Sequence, residues 1–308
     1  MYRTILVPLD GSRLAEAALA YARSFAGGVD VRVILIHVAD RGDRDCLPLH
    51  QAYVQRAAEY VEHGMQKGRR ETDSRRRRKP FPVEAKVVVG DPAEAILRWA
   101  SDGNADLIVM TNDGGSGRRR WLMGGVAGKV LQASNVPILL VHAGISREIA
   151  HDKWPHTTLV VILDGSELAE SALPHAEEVA KLWSSGEITV SLVRVCEPLL
   201  LPLLSAPQIV VKWDRIAGEI MENSRRSAGA YLDGIGKRLR ESGLTVTTQV
   251  LEGQPAEEIL GYAKKSSHSI VVMTTHGRTG IRRWPFGSTA QKVLWGASVP
   301  VLLVRPPT

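Results

Sequence analysis

The residues best suited to chemistry form one glycine-punctuated run, Met273-Thr274-Thr275-His276-Gly277-Arg278-Thr279-Gly280-Ile281-Arg282-Arg283-Trp284-Pro285-Phe286-Gly287-Ser288-Thr289. An apolar strand leads into it, and Gly287-Ser288 opens a helix over Ala290–Trp295. Glycines let backbone N–H groups approach an anion closely. The unpaired N–H groups of a first helical turn favour negative charge, and the Ser288 hydroxyl adds a donor. In an open α/β sheet, ligands sit beyond the carboxyl ends of the strands, where strand order reverses. Asp164 ends a strand there as well. Together these residues make a phosphate cradle beside a carboxylate, suited to ribose hydroxyls or a metal ion. The bland alternative is a plain turn before a helix. Two other phosphate motifs are excluded. Gly128-Lys129-Val130 lacks the Ser/Thr and glycine spacing of a Walker A loop, and no Gly-x-Gly-x-x-Gly follows the first strand.

The elements that would position this loop occur twice. Residues 4–26 match residues 158–180 at 13 of 23 positions, and residues 83–141 match 246–304 without a gap at 27 of 59. The offset grows from 154 to 163, so the second copy carries nine extra residues in its middle. Such self-similarity is a tandem duplication. The junction falls near 142–157, and the expected domains are residues 1–145 and 155–308.

Each copy alternates strands and helices. Thr4–Leu9 is a short apolar run ending at Asp10-Gly11-Ser12, as buried parallel strands do. Ser12 or Asp10 can cap a helix with apolar positions at Leu14, Ala18, Leu19 and Ala22. Further strands are predicted over Val31–Val38, Val83–Val89, Asp106–Met110 and Val136–Val141, and a helix over Gln51–Gln66. Pro92 and Glu94 suit a helix start. The second copy repeats the pattern. This predicts an α/β fold, a mostly parallel five-stranded sheet per copy with helices on both faces.

The ordered motifs resemble the universal stress protein family, tandem two-domain type. That family carries Gly-x2-Gly-x9-Gly-Ser/Thr after its fourth strand. The second copy matches as Thr274-x2-Gly277-x9-Gly287-Ser288, with threonine for the first glycine. The first copy matches as Thr111-x2-Gly114-x9-Gly124-Gly125, lacking the terminal Ser/Thr too. Gly90–Pro92, Gly253–Pro255 and the repeated Val-Pro-x-Leu-Leu-Val strand also fit. The resemblance implies repeated flavodoxin-like (Rossmann-like) domains that bind ATP, with Mg²⁺ arriving only with the phosphates. It implies a stress-response regulator or nucleotide sensor working through conformation and partners, with at most slow ATP hydrolysis. Asp164 and Asp10 would lie beside the ribose, and Val195 and Val38 would hold the adenine. Thr274, Gly277, Arg278, Gly287, Ser288 and Thr289 would hold the phosphates in the second copy. Thr111, Gly114, Gly124 and Gly125 would do so in the first. The last strands would pair the copies about a pseudo-two-fold axis, with a further homodimer as an extension. A nucleotide hydrolase or transferase, and a nucleotide-free interaction scaffold, are the competing readings.

The copies are not equal. Asp113 stands where the second copy has His276, and a carboxylate near a polyphosphate repels it by about 4 kcal/mol at ~4 Å and an effective dielectric of ~20. Gly125 lacks the Ser288 hydroxyl, and a lost hydrogen bond to a charged group costs about 1.5–3 kcal/mol. Arg118, Arg119 and Arg120 could offset this. The second copy is therefore expected to bind ATP more tightly. No catalytic residue is assigned, because His276 shows neither an orienting partner nor a nucleophile. Trp121 and Trp284 read as packing anchors, and His37 and His142 as structural histidines. No cluster has metal-ligand spacing.

Composition bounds the rest. Hydrophobic residues make up 44% of the chain, which excludes general disorder. The apolar stretch Leu199–Leu204 is broken by Pro202 and far shorter than the ~20 residues of a membrane span. No secretory signal is readable, and Cys46 and Cys196 cannot build a disulfide scaffold, so a cytoplasmic setting is expected. The formal charge of +6 sits mainly in the first copy, around Arg75-Arg76-Arg77-Arg78-Lys79. That run reads as a solvated loop, with nucleic acid an unlikely partner because no aromatic residues interleave it. Leu199–Leu204 reads as a loop packed on its own domain or as a partner contact.

Overall fold

The computed structural model describes residues 2–26, 31–72, 83–112, 125–142, 156–183, 186–198, 207–265, 268–277 and 286–306. The first copy runs β1 (Thr4–Leu9), α1 (Ala17–Ala26), β2 (Arg32–Ala39), α2 (Leu47–Thr72), β3 (Val83–Val89), α3 (Pro92–Trp99), β4 (Leu107–Thr111), α4 (Gly125–Ala133) and β5 (Ile138–Val141). The second runs β6 (His156–Ile162), α5 (Glu167–Glu170), α6 (Leu173–Leu182), β7 (Glu187–Cys196), α7 (Pro207–Glu241), β8 (Thr245–Glu252), α8 (Pro255–Ala263), β9 (Ser269–Thr274), α9 (Ser288–Gly296) and β10 (Val301–Val304).

All ten strands form one sheet in the order β3-β2-β1-β4-β5-β10-β9-β6-β7-β8. Within each copy every pairing is parallel, as the expected α/β class requires. The copies meet where β5 and β10 pair antiparallel, Leu139 opposite Leu302. All eight residues of these two strands are buried, which explains their unbroken apolar sequence. The pseudo-two-fold pairing expected of the last strands is therefore present. Residues just beyond the strands lock the seam reciprocally. His142 Nε2–H donates to the Leu294 carbonyl of α9 at 2.9 Å, and its counterpart Arg305 donates to the Gln132 carbonyl of α4.

Two apolar layers cover the sheet. One unites α1, α2, α5, α6 and α7 across both copies, with Phe25 edge-on to Trp183 at 5.5 Å. The other holds α3, α4, α8 and α9. The helix after the first strand differs between copies. In the second the first turn is a helix of its own, α5, before α6, whereas in the first copy turns over 13–16 precede α1; Pro174, at the position of Ala20, has no N–H for the carbonyl of Glu170. Among the described residues no helix is long and apolar enough to cross a membrane.

Strand order fixes where a ligand can sit. From β1 the chain moves outward to β3, then returns to β4 on the other side. The switch point lies between β1 and β4 in the first copy and between β6 and β9 in the second.

Candidate functional site

A cavity of about 280 Å³ opens at the second switch point. The end of β6 contributes Ile162, Leu163 and Asp164, and the end of β7 contributes Val195 and Glu197. Met273, Thr274, Thr275 and Gly277 enter from β9 and its loop. Gly287, Ser288, Thr289 and Ala290 form the first turn of α9. Ile162, Val195, Ile259 and Met273 supply an apolar wall, so the cavity can accept a flat apolar group as well as an anion.

Local chemistry holds Asp164, Thr274 and Thr275 in place. Asp164 closes a turn: its Oδ1 accepts the Ser166 backbone N–H at 2.9 Å and the Ser166 hydroxyl at 2.6 Å. The Ser166 hydroxyl oxygen then accepts the Ala169 N–H, capping α5. The other oxygen of Asp164 lies against Gly277, and a Cβ at 277 would collide with it. Glycine is required there for close approach rather than for a special backbone angle.

The loop's two ends are tied together. Thr275 donates its N–H to the Val304 carbonyl at 2.9 Å, and its own carbonyl accepts the Gly287 N–H at 2.8 Å. The Thr274 hydroxyl donates to the His276 carbonyl at 2.7 Å. Thus the threonine that replaces the first glycine of the motif ties its hydroxyl to the loop backbone. Gly287 is the N-cap of α9 and offers no side chain, so the first-turn N–H groups of α9 are not capped by it. His276 Nδ1 lies 3.0 Å from the Thr275 hydroxyl.

Asp164, Val195, Thr274, Gly277, Gly287, Ser288 and Thr289 thus line one cavity. Arg278 lies outside the described residues. In the first copy Asp10 is exposed and its Oδ1 accepts the Ser12 N–H at 2.9 Å. Val38 lies near the end of β2, Thr111 is buried at the end of β4, and Gly125 opens α4. Gly114, Gly124, Asp113, Arg118–Arg120, Trp121, Trp284, Arg75–Lys79 and Leu199–Leu204 lie outside the described residues.

Four residues of interest escaped the sequence reading. Glu197 joins the cavity wall. Behind the first-copy turn, His37 donates from Nδ1 to the Leu9 carbonyl at 2.9 Å and stacks on His50 at 4.5 Å, with Tyr53 edge-on at 6.1 Å. Burial, aided by the neighbouring His50, lowers the His37 pKa from 6.5, and burial pushes the Tyr53 phenol up to about 12. In the second copy Arg194 takes the place of His37. A charged residue inside the apolar run Val190–Val195 was the available signal.

A mostly parallel α/β sheet with this cavity at its switch point, built from two copies, defines a doubly wound protein of tandem type. The model of the universal stress protein family matches residues 1–142 and again 156–305, and the chain belongs to that family. Universal stress protein MJ0531 of Methanocaldococcus jannaschii is 32% identical over 149 residues, covering 48% of this chain and 82% of its own. Universal stress protein Rv2005c of Mycobacterium tuberculosis is 22% identical over 307 residues, covering 98% of this chain and 96% of its own. The crystal structure of a universal stress protein from Archaeoglobus fulgidus superposes with a TM-score of 0.60 at 20% identity, covering 98% of both chains. That likeness shows that the fold is shared along the whole chain.

Proposed function

We propose that the second copy binds ATP in this cavity, and that the protein acts as a nucleotide-dependent regulator of the stress response through conformation and partners. The observation that carries the reading is convergence. Seven residues expected to touch the nucleotide, spread from Asp164 to Thr289, line a single cavity at the strand-order switch.

The chemistry at each position fits the group assigned to it. Asp164, fixed by Ser166, presents a carboxylate that can accept from ribose hydroxyls. Gly277 and the α9 first turn leave backbone close to an anion, where a helix N-terminus stabilises negative charge. Val195 and Ile259 flank the space for the base. Mg²⁺ would enter on the phosphates rather than on a protein cluster.

The test is mass spectrometry of small molecules released from the purified protein, with calorimetry against added ATP. ATP released or bound, and lost on Gly277→Val, supports the reading. Absence of both overturns it. Turnover abolished by His276→Ala would instead favour a hydrolase.

A further inference from the structure

The cavity in the second copy is bordered by a turn that a guanidinium braces from behind, and among the described residues of the first copy no guanidinium does so; there the Tyr53 phenol stands by the Gly11 backbone. Gly165 sits at φ +87°, and a Cβ there would lie 2.9 Å from Nη1 and 3.1 Å from Cζ of Arg194. The guanidinium is therefore packed directly on the backbone next to Asp164. Its Cζ lies over the Tyr231 ring of α7, 5.2 Å from the centroid. Tyr231 in turn donates its hydroxyl to Glu170 Oε1 of α5 at 3.0 Å. Burial is the main cause that pushes the Tyr231 phenol up. Glu170 and Asp164 push the same way, and Arg194 opposes them. Glu170 and Arg194 thus both contact this tyrosine.

The first copy keeps the turn but not the arginine beside its glycine. Gly11 has nearly the same conformation, φ +83°, yet a Cβ there would meet nothing within 4 Å. Leu9 pairs with His37 across β1 and β2, and Ile162 pairs with Val193 across β6 and β7, which puts Arg194 at the position of His37. The His37 ring is turned away, onto the Leu9 carbonyl and His50.

We propose that Arg194 is a positioning residue for ribose recognition: its guanidinium braces the Asp164–Gly165 turn and so fixes the carboxylate that meets the ribose hydroxyls. The proposal rests on the nucleotide reading of the cavity and adds the group that makes it select a ribose. Arginine suits the task because its planar, permanently charged fork can lie over an aromatic ring while packing against backbone. Such a brace reaches the nucleotide only through Asp164. Its loss should be felt where the ribose hydroxyls are present and not where they are missing.

Calorimetry on the full chain separates these cases, with ATP and 2′,3′-dideoxy-ATP as probes and wild type, Arg194→His and Arg194→Lys as proteins. Arg194→His, which copies the first domain, is expected to weaken ATP about tenfold, close to the loss of one hydrogen bond to a charged group. The same change should alter dideoxy-ATP binding by less than about twofold, since no ribose hydroxyl remains to be positioned. Arg194→Lys keeps the charge and should recover part of the ATP affinity. Equal losses for the two nucleotides, or no loss for either, would overturn the proposal while leaving ATP binding intact. Failure of the wild type to bind ATP would overturn the nucleotide reading, and this assignment with it. Melting of each variant guards against a folding defect. A ligand-free readout tests the contact itself: Gly165→Ala should lower Tm more than Gly11→Ala, and the excess should vanish when Arg194→Ala is added. Equal shifts for the two glycines would deny the brace.

Discussion

The two copies end their first strands in the same Asp-Gly-Ser turn and surround it with different neighbours. In the first copy Asp10 is exposed, Gly11 has open space beside it, and a stacked His37–His50 pair lies behind. In the second, Asp164 is pressed against Gly277 on one side, and its turn is braced by Arg194 on the other. The helix after the glycine loop begins with Gly125 in one copy and Ser288 in the other. Backbone architecture, strand order and seam are common to both. The difference teaches that the fold alone does not make the site. Among the described residues, the same turn lies against a second glycine and an arginine only in the second copy.

Four changes would break or sharpen that comparison, and the largest concerns what the copies share. Leu302 is fully buried in β10 opposite Leu139 of β5. Leu302→Ala should cost about 2–5 kcal/mol by cavity formation. Because one apolar layer spans both copies, denaturant unfolding should shift as one transition. Independent melting of the two copies would show them to be separate units.

Next comes the loop. Gly277→Val drives a side chain into the Asp164 carboxylate and should reduce ATP affinity at least about a hundredfold, roughly 2.7 kcal/mol or more. Gly114→Val in the first copy should change it less than about threefold. Similar losses would mean that both copies bind. A smaller effect is expected from the carboxylates themselves. Asp164→Asn should weaken ATP about tenfold, the worth of a hydrogen bond to a charged group, and Asp10→Asn should leave it unchanged.

The smallest effect is a pH dependence. Burial lowers the pKa of His37 and of His175, the latter sharing a 2.7 Å hydrogen bond with Tyr2 across the two copies. Groups held neutral in the fold leave stability intact above their ordinary value of 6.5. Below it the unfolded chain binds more protons, so stability falls as pH drops through the folded values. Chemical denaturation at pH 7.5 and 5.5 should show this loss, and His37→Gln should reduce it. Unchanged pH dependence in that variant would show that the stacked histidines of the first copy do not contribute.

Much of the architecture was legible because it is local or repeated. The predicted strand Val83–Val89 coincides with β3, and the Val-Pro-x-Leu-Leu-Val segments are the strands of the seam. Asp91 caps α3 by accepting the Glu94 N–H at 3.0 Å, at the start that Pro92 suggested. The helix predicted over Gln51–Gln66 extends to Leu47–Thr72, since periodicity locates a helix better than its ends. The tight turn between Ser12 and Ala17, matched by the break between α5 and α6, is a backbone detail that periodicity passes over. In the site, the glycines and Asp164 were legible because their spacing repeats. Arg194 was not, since its role depends on Tyr231, 37 residues further on and brought beside it by packing α7 against β7. Glu197 was missed although the end of its strand was expected at the site, because no motif singles it out two residues beyond Val195.

The central claim is that the nucleotide site belongs to the second copy. Calorimetric titration of the intact chain with ATP tests this most directly, because stoichiometry counts sites without reference to mechanism. The account predicts a single ATP bound per chain, abolished by Gly277→Val and retained in Gly114→Val. Two equivalent sites, or binding that survives Gly277→Val, would contradict it.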